Sequence, residues 1–199
     1  MSLPTSPVSL NSIADIRAGY WGEPSETEGA TVSVSALRNG DLLPTALKGT
    51  SAQRWFTKAQ SERAMVVPGD IVMTSSGDCG KIALIEEAGF HVTNFVKRIR
   101  VRDEAVSPQW LFFILQSPQA MRVLSDNVAG ATISNLRAAY FDVSFITLVS
   151  PADQEHATER LRVMLGQFER LEDVARRRVE ASRAIRESVL AAAFRGDLL

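Results

Sequence analysis

The side chains able to carry nucleophilic or acid–base chemistry are few in this chain of 199 residues: one cysteine, Cys79, and two histidines, His91 and His156. Nucleophilic catalysis needs a general base beside its Ser or Cys. Here His91 sits in a β-branched stretch, His156 stands early in a helical one, and no Gly-x-Ser-x-Gly elbow occurs. So small a stock of imidazole and thiol predicts no zinc or other metal site. The nearest approach to a phosphate cradle is Gly77-Asp78-Cys79-Gly80-Lys81. It falls between two strand-like segments and opens no helix, so it reads as a hairpin turn. The residues predict no catalytic site, no metal and no cofactor.

Binding chemistry is better represented. Phosphate contacts draw on Lys, Arg and small polar donors, and base edges are read by Arg, Asn, Gln, Ser and Thr. Lys48, Arg54 and Lys58 surround the aromatic pair Trp55-Phe56, so cations and rings interleave there. Ser75, Ser76 and Lys81 flank the Gly-rich hairpin, and Thr132, Ser134, Asn135 and Arg137 occupy a later loop. These are the candidate binding residues; the competing reading is ordinary surface and turn chemistry. Lys97, Arg98, Arg100 and Arg102 form either a basic strand face or a solvated one, and Arg176, Arg177 and Arg178 are expected to be solvated or paired with Glu172 and Glu180. With 22 basic against 23 acidic side chains, a histone-like bulk cation is excluded, although a local basic stripe is not.

The elements that must position these residues follow from pattern. Apolar residues at 45% and charged residues at 23% describe a folding chain. Residues 1–150 are punctuated by Gly, Pro, Asn and Ser, and predict an α/β (α+β) domain. Strands are expected at Thr31–Ala36, after the Pro68-Gly69-Asp70 turn, at Lys81–Ile85, across Val92–Val101 and at Val143–Val149. Helices are expected at Pro108–Leu115 and Pro118–Asp126, each opened by a proline suited to the first turn.

Residues 151–199 differ. Past Pro151 there is no proline, and the only glycines are Gly166 and Gly196. Ser150 or Asp153 would cap a helix whose early acids suit its dipole. Leu161, Met164, Phe168, Leu171, Ala175, Arg178, Ser182, Ile185, Val189 and Ala192 then recur at spacings of three and four, a coiled-coil seam. At 1.5 Å per residue this helix would run roughly 60 Å, which requires another helix to cover it. The expectation is a dimer through Leu161, Met164, Phe168, Leu171, Ala175, Ile185 and Val189. No apolar run approaches the roughly 20 residues of a membrane span, and Met1–Val8 lacks a signal-peptide core. With its lone cysteine, the chain is expected to be soluble and cytoplasmic.

Four stretches resemble the specificity subunit of type I restriction-modification systems. They are Val67-Pro68-Gly69-Asp70-Ile71-Val72-Met73-Thr74-Ser75 with Gly77, Gly80 and Lys81; Thr93-Asn94-Phe95-Val96, similar to an Asn-containing strand; Gly130-Ala131-Thr132-Ile133-Ser134-Asn135-Leu136 running through Phe145-Ile146-Thr147-Leu148 to Pro151 and Asp153-Gln154-Glu155; and Leu190-Ala191-Ala192-Ala193-Phe194-Arg195-Gly196-Asp197-Leu198. Asp153-Gln154 stands where the family has Glu-Gln. The resemblance implies a target recognition domain followed by a spacing helix, at about half the family's length. It further implies a non-catalytic subunit that binds double-stranded DNA at a split site, with methyltransferase and restriction subunits as partners and an antiparallel homodimer restoring the full arrangement. The alternatives are a coiled-coil adaptor whose globular part binds protein, and a fragment of a fused enzyme.

Overall fold

The computed structural model describes residues 6–130 and 132–195. Helix α1 (Leu10–Ile13) leads into β1 (Ala14–Ala18), and β2 (Val32–Leu37) and β3 (Ala52–Phe56) follow before α2 (Lys58–Ala64). Then come β4 (Ile71–Thr74), β5 (Ile82–Leu84), β6 (Phe90–Val92), β7 (Val96–Val101), α3 (Pro108–Leu115), α4 (Pro118–Asp126), β8 (Val128–Ala129), β9 (Asn135–Leu136) and α5 (Pro151–Arg195). The strands form a four-stranded sheet in the order β1-β7-β4-β5, a three-stranded sheet β3-β2-β6 and the small β8-β9 pair. Every pairing is antiparallel except β2 with β6. The chain divides into two compact units, residues 1–156 and 157–199.

The alternation of β2 puts Val34 and Ala36 inside and leaves Ser33 exposed, as a half-buried strand requires. Phe56, Leu37, Val72, Ala83, Val92 and Val96 join them, so one core lies between the two larger sheets. Helices α3 and α4 span the residues the pattern predicts. Ser107 Oγ accepts from the Trp110 amide at 3.3 Å and Ser117 Oγ from the Ala120 amide at 3.2 Å, each with proline at the first turn. Helix α2 is not among the expected helices; its Thr57-x-x-Gln60 capping box forms in full.

Two strand expectations are corrected. Val92–Val101 is two strands in different sheets, because the chain turns at Thr93–Phe95. The Thr93 amide and hydroxyl both donate to the Leu37 carbonyl, at 3.1 and 2.9 Å, and Val96 N closes the turn on the Thr93 carbonyl. Val143–Val149 forms no strand. Ile146 makes an isolated bridge to Val8, and Phe145, Ile146 and Leu148 are buried by packing, with Phe145 against Tyr140. Apolar alternation marks burial, and a ladder also needs a neighbouring strand.

Helix α5 is capped by Ser150, whose hydroxyl oxygen accepts from the Asp153 amide at 3.1 Å. Gln154 in its first turn is fully buried. Its amide donates to the Ala105 and Val149 carbonyls at 2.8 and 2.9 Å, and its oxygen accepts from the Ser107 amide at 2.8 Å. Along residues 157–195 the apolar row stands exposed, including Leu161, Met164, Phe168, Leu171, Ile185 and Val189. Gly196, Asp197 and Leu198 of the terminal signature, and Ala131 of the Gly130 loop, lie outside the described residues. Among the described residues no helix is long and apolar enough to cross a membrane.

Candidate nucleic-acid interface

Three loops that are distant in sequence meet on one side of residues 1–156. The first, residues 38–50, is built around the Asp41 carboxylate, which is buried. It accepts from Arg38 N, Nε and Nη2 at 2.9, 3.0 and 3.2 Å and from the Thr50 hydroxyl at 2.7 Å. Burial alone would raise the Asp41 pKa, but the hydrogen bonds from Arg38 and Thr50 and the Arg38 charge outweigh it and hold the carboxyl below the usual range. The Lys48 amide in turn donates to the Asp41 carbonyl at 2.9 Å. Lys48 is therefore exposed on a fixed loop.

The second loop is the hairpin of residues 75–81 between β4 and β5. The Thr74 hydroxyl donates to the Asp78 carbonyl at 2.6 Å and accepts from the Lys81 amide at 3.0 Å, so the hairpin is closed at its neck. The third loop links β8 to β9. Backbone bonds join it to the hairpin, Gly77 N to the Ser134 carbonyl at 2.7 Å and Leu136 N to the Ser75 carbonyl at 2.9 Å, and the Cys79 thiol adds a contact to the Ser134 carbonyl at 3.6 Å. Asn39 Nδ2 donates to the Ser76 carbonyl and ties the first loop to the other two.

The site residues predicted from sequence separate on this frame. Lys48, Thr132, Asn135 and Arg137 are exposed on the joined loops, and Ser76, Lys81 and Ser134 are half-buried there. Lys81 Nζ lies 2.8 Å from the Asp78 carboxylate, so part of its charge is already balanced. Ser75 is withdrawn from the set: it is buried and its hydroxyl donates to the Phe95 carbonyl at 3.1 Å. Arg54 is half-buried, with its guanidinium 4.8 Å above the Trp21 ring. Lys58 is exposed on the first turn of α2, a different element from the loops.

Sequence reasoning missed Trp21, Arg38, Asn39 and Phe95. They line an open cleft of about 640 Å³ together with Lys48. The available signals were the Asn39-Gly40 turn dipeptide and a tryptophan between glycines. In the basic run along β7 and just past it, three of the cations are engaged by the fold. Arg98 is buried and donates to Asp15 at 2.8 Å and to the Arg63 and Met65 carbonyls; Arg100 pairs with Asp70, and Arg102 donates to the Asn11 and Ala14 carbonyls. These cations hold the sheet to its flanking segments. On α5, Arg176 and Arg177 pair with Asp173 at 2.6 and 2.7 Å, not with Glu172 or Glu180.

Cys79 is half-buried, and burial together with the Asp78 charge pushes its thiol up, away from the reactive thiolate. His91 Nε2 is 2.9 Å from the Ser61 hydroxyl, deep beneath α2 and apart from the loops. Among the described residues no group of His, Cys, Asp and Glu could hold a metal ion.

The described residues form a mixed α/β module with joined polar loops, followed by a long helix. No family model matches the chain. It is 24% identical over 201 residues to the type I restriction enzyme EcoBI specificity subunit of Escherichia coli, an alignment covering 96% of this chain and 39% of that subunit. Among solved structures it is similar to the HsdS subunit of Thermoanaerobacter tengcongensis, with TM-score 0.62, 18% identity, and coverage of 87% of this chain and 41% of that one. It is also similar to the type I restriction-modification S subunit of M. genitalium, with TM-score 0.55, 15% identity, and coverage of 86% and 42%. A third match, TM-score 0.60, 16% identity, and coverage of 86% and 41%, comes from a structural study of type I R-M complex assembly and conformational transition. The chain is thus similar in sequence to one type I specificity subunit and shares its fold with solved S subunits. It spans about two fifths of the length of these relatives.

Proposed function

We propose that this chain is a half-length specificity subunit that recognises double-stranded DNA through its loop surface and directs methyltransferase and restriction subunits to a split target site. The observation that carries this reading is the convergence of loops 38–50, 75–81 and 130–137, tied by backbone bonds and by the Asn39 amide on the Ser76 carbonyl, which gathers Lys48, Ser76, Asn135 and Arg137 on one side. Cations, amides and hydroxyls on a rigid frame are the donor set that positions phosphates and reads base edges. The chain itself supplies recognition, and its partners supply the chemistry. Antiparallel pairing of the exposed row on α5 with a second copy would set a recognition domain at each end and select a palindromic, interrupted site. The adaptor reading has no equivalent support, since nothing in a protein-binding coiled coil requires this set of loop donors.

The test is to express the chain with its system's methyltransferase subunit in a methylation-free host and map modified bases genome-wide. Methylation confined to one two-part palindromic motif is the expected result. An unmodified genome, or methylation without sequence preference, would overturn the proposal.

A further inference from the structure

Trp21 and Phe95 are large rings left 47% and 38% exposed on backbone that is held firmly. The Gly19 and Tyr20 amides donate to the Thr93 and Val92 carbonyls, both at 3.3 Å, and Glu23 and Trp55 exchange backbone bonds of 2.9 and 3.0 Å. A Cβ on Gly19 would stand 1.5 Å from the Val92 carbonyl oxygen, and one on Gly22, at φ +72°, would stand 2.4 Å from the Phe56 ring. Trp21 is thus delivered between two positions where the chain passes too close to its neighbours for any residue but glycine. Phe95 sits at the turn between β6 and β7, with its carbonyl bonded to the Ser75 amide and hydroxyl at 2.8 and 3.1 Å.

The two rings meet edge to face, 5.6 Å between centroids. The Arg54 guanidinium lies 4.8 Å over Trp21, and its buried Nε has no hydrogen-bond partner, so the ring itself orients the cation. The pair opens onto the cleft that also holds Lys48; the Arg38 charge there is balanced by Asp41. Rigid exposed rings beside free cations fit a partner that offers apolar ring surfaces and regularly spaced anions together. Duplex DNA does so: apolar side chains wedge between base steps while cations hold the flanking phosphates.

We propose that the Trp21–Phe95 pair enters the target duplex at one base step, with Arg54 and Lys48 on the phosphates beside it. This rests on the DNA-recognition reading above and adds a specificity-determining contact to it.

The test uses the full chain assembled with its methyltransferase subunit and a randomised duplex library, from which bound sites are selected and sequenced. The wild-type chain is expected to enrich one motif. Trp21→Ala and Phe95→Ala should each lower enrichment at the same step by about tenfold, leaving other positions unchanged. Trp21→Phe and Phe95→Tyr should restore it, and Lys48→Ala should weaken recovery evenly at all positions. A duplex carrying 2-aminopurine at that step should brighten on binding the wild-type chain and stay quenched with Trp21→Ala. Thermal melting accompanies each variant, and Trp21→Gln is read alongside in case an alanine variant melts early. A folded Trp21→Ala/Phe95→Ala chain that enriches the wild-type motif undiminished overturns the aromatic contact and leaves the DNA reading standing. Loss of the methyltransferase subunit from Trp21→Ala, with motif selection intact, also overturns it by marking a protein contact. A wild-type chain that enriches no motif overturns both.

Discussion

The Asp70 carboxylate and the Arg100 guanidinium form a two-pronged ion pair, Nε to Oδ1 and Nη2 to Oδ2, both at 2.7 Å. Asp70 is almost wholly buried and also accepts from the Val67 amide at 2.8 Å, so a single carboxylate closes the Pro68-Gly69 turn and binds it to β7. The aspartate of this motif therefore fixes the fold beneath the hairpin, and it does not face the ligand surface. Replacing it by Asn should destabilise the protein by about 3 kcal/mol, the lower end of the roughly 3–5 kcal/mol for breaking a buried pair. The low end applies because the Arg100 side chain remains 37% exposed and can recover water. Urea unfolding followed by circular dichroism measures this, and a loss under about 1 kcal/mol would contradict it.

Stability should depend on pH through His91. Burial against Phe56 pushes its imidazole below the ordinary 6.5, and Nδ1 has no partner to stabilise a proton. The folded state then stays neutral at a pH where the unfolded chain takes up a proton. Stability is complete above 6.5 and falls as pH drops from there toward the folded value. Asp15 and Asp41, held below 3.8, act in the same sense, but their stabilising effect is lost only as pH falls below about 4. Unfolding free energies between pH 5 and 7 should therefore show a slope that His91→Gln flattens; an identical slope in both proteins would exclude His91 as its source.

Arg137 and Lys81 should differ as DNA contacts although both lie on the joined loops. Arg137 is exposed, whereas Lys81 shares its charge with Asp78. Arg137→Ala is expected to weaken binding of the assembled complex and to flatten the salt slope by about one unit if it meets a phosphate. If it reads a base, preference at one position should relax by roughly 1–3 kcal/mol. Lys81→Ala should have the smaller effect, and Arg177→Ala, whose side chain is paired with Asp173, none. Full affinity and an unchanged salt slope in an Arg137/Lys81 double variant would remove these loops from the interface.

The exposed row on α5 is expected to make the chain a dimer, so light scattering should return about twice the 21.8 kDa chain mass at micromolar concentration. Phe168→Asp or Leu171→Asp, at positions 58% and 64% exposed in the single chain, should yield monomers with residues 1–156 still folded. A charge closed into an apolar seam without a partner costs several kcal/mol. Dimers that survive both substitutions would place the seam on another face of the helix.

What could be read from the sequence is what neighbouring residues settle among themselves. Ser107-Pro108 and Ser117-Pro118 specify their helices because cap, first-turn proline and first free amide all lie within four residues. The seam from Leu161 to Ala192 announces a long helix by period alone, and the hairpin at Gly77–Lys81 follows from its turn residues. Tertiary structure decided the rest. Arg98, Arg100 and Arg102 look like any charged strand until β1, α2 and the Asp70 turn surround them, with partners such as Asp15 standing 83 residues away. The turn at Thr93 exists because Leu37, 56 residues earlier, takes its hydroxyl. Ser75 resembles its neighbour Ser76 in type, and only in the fold does the Phe95 carbonyl take the Ser75 amide and hydroxyl, so that one is buried and the other half-buried. Local rules act over one turn of chain, whereas burial and loop convergence are set by which distant segments the core brings together. The helix could therefore be read residue by residue, and the recognition surface only after folding.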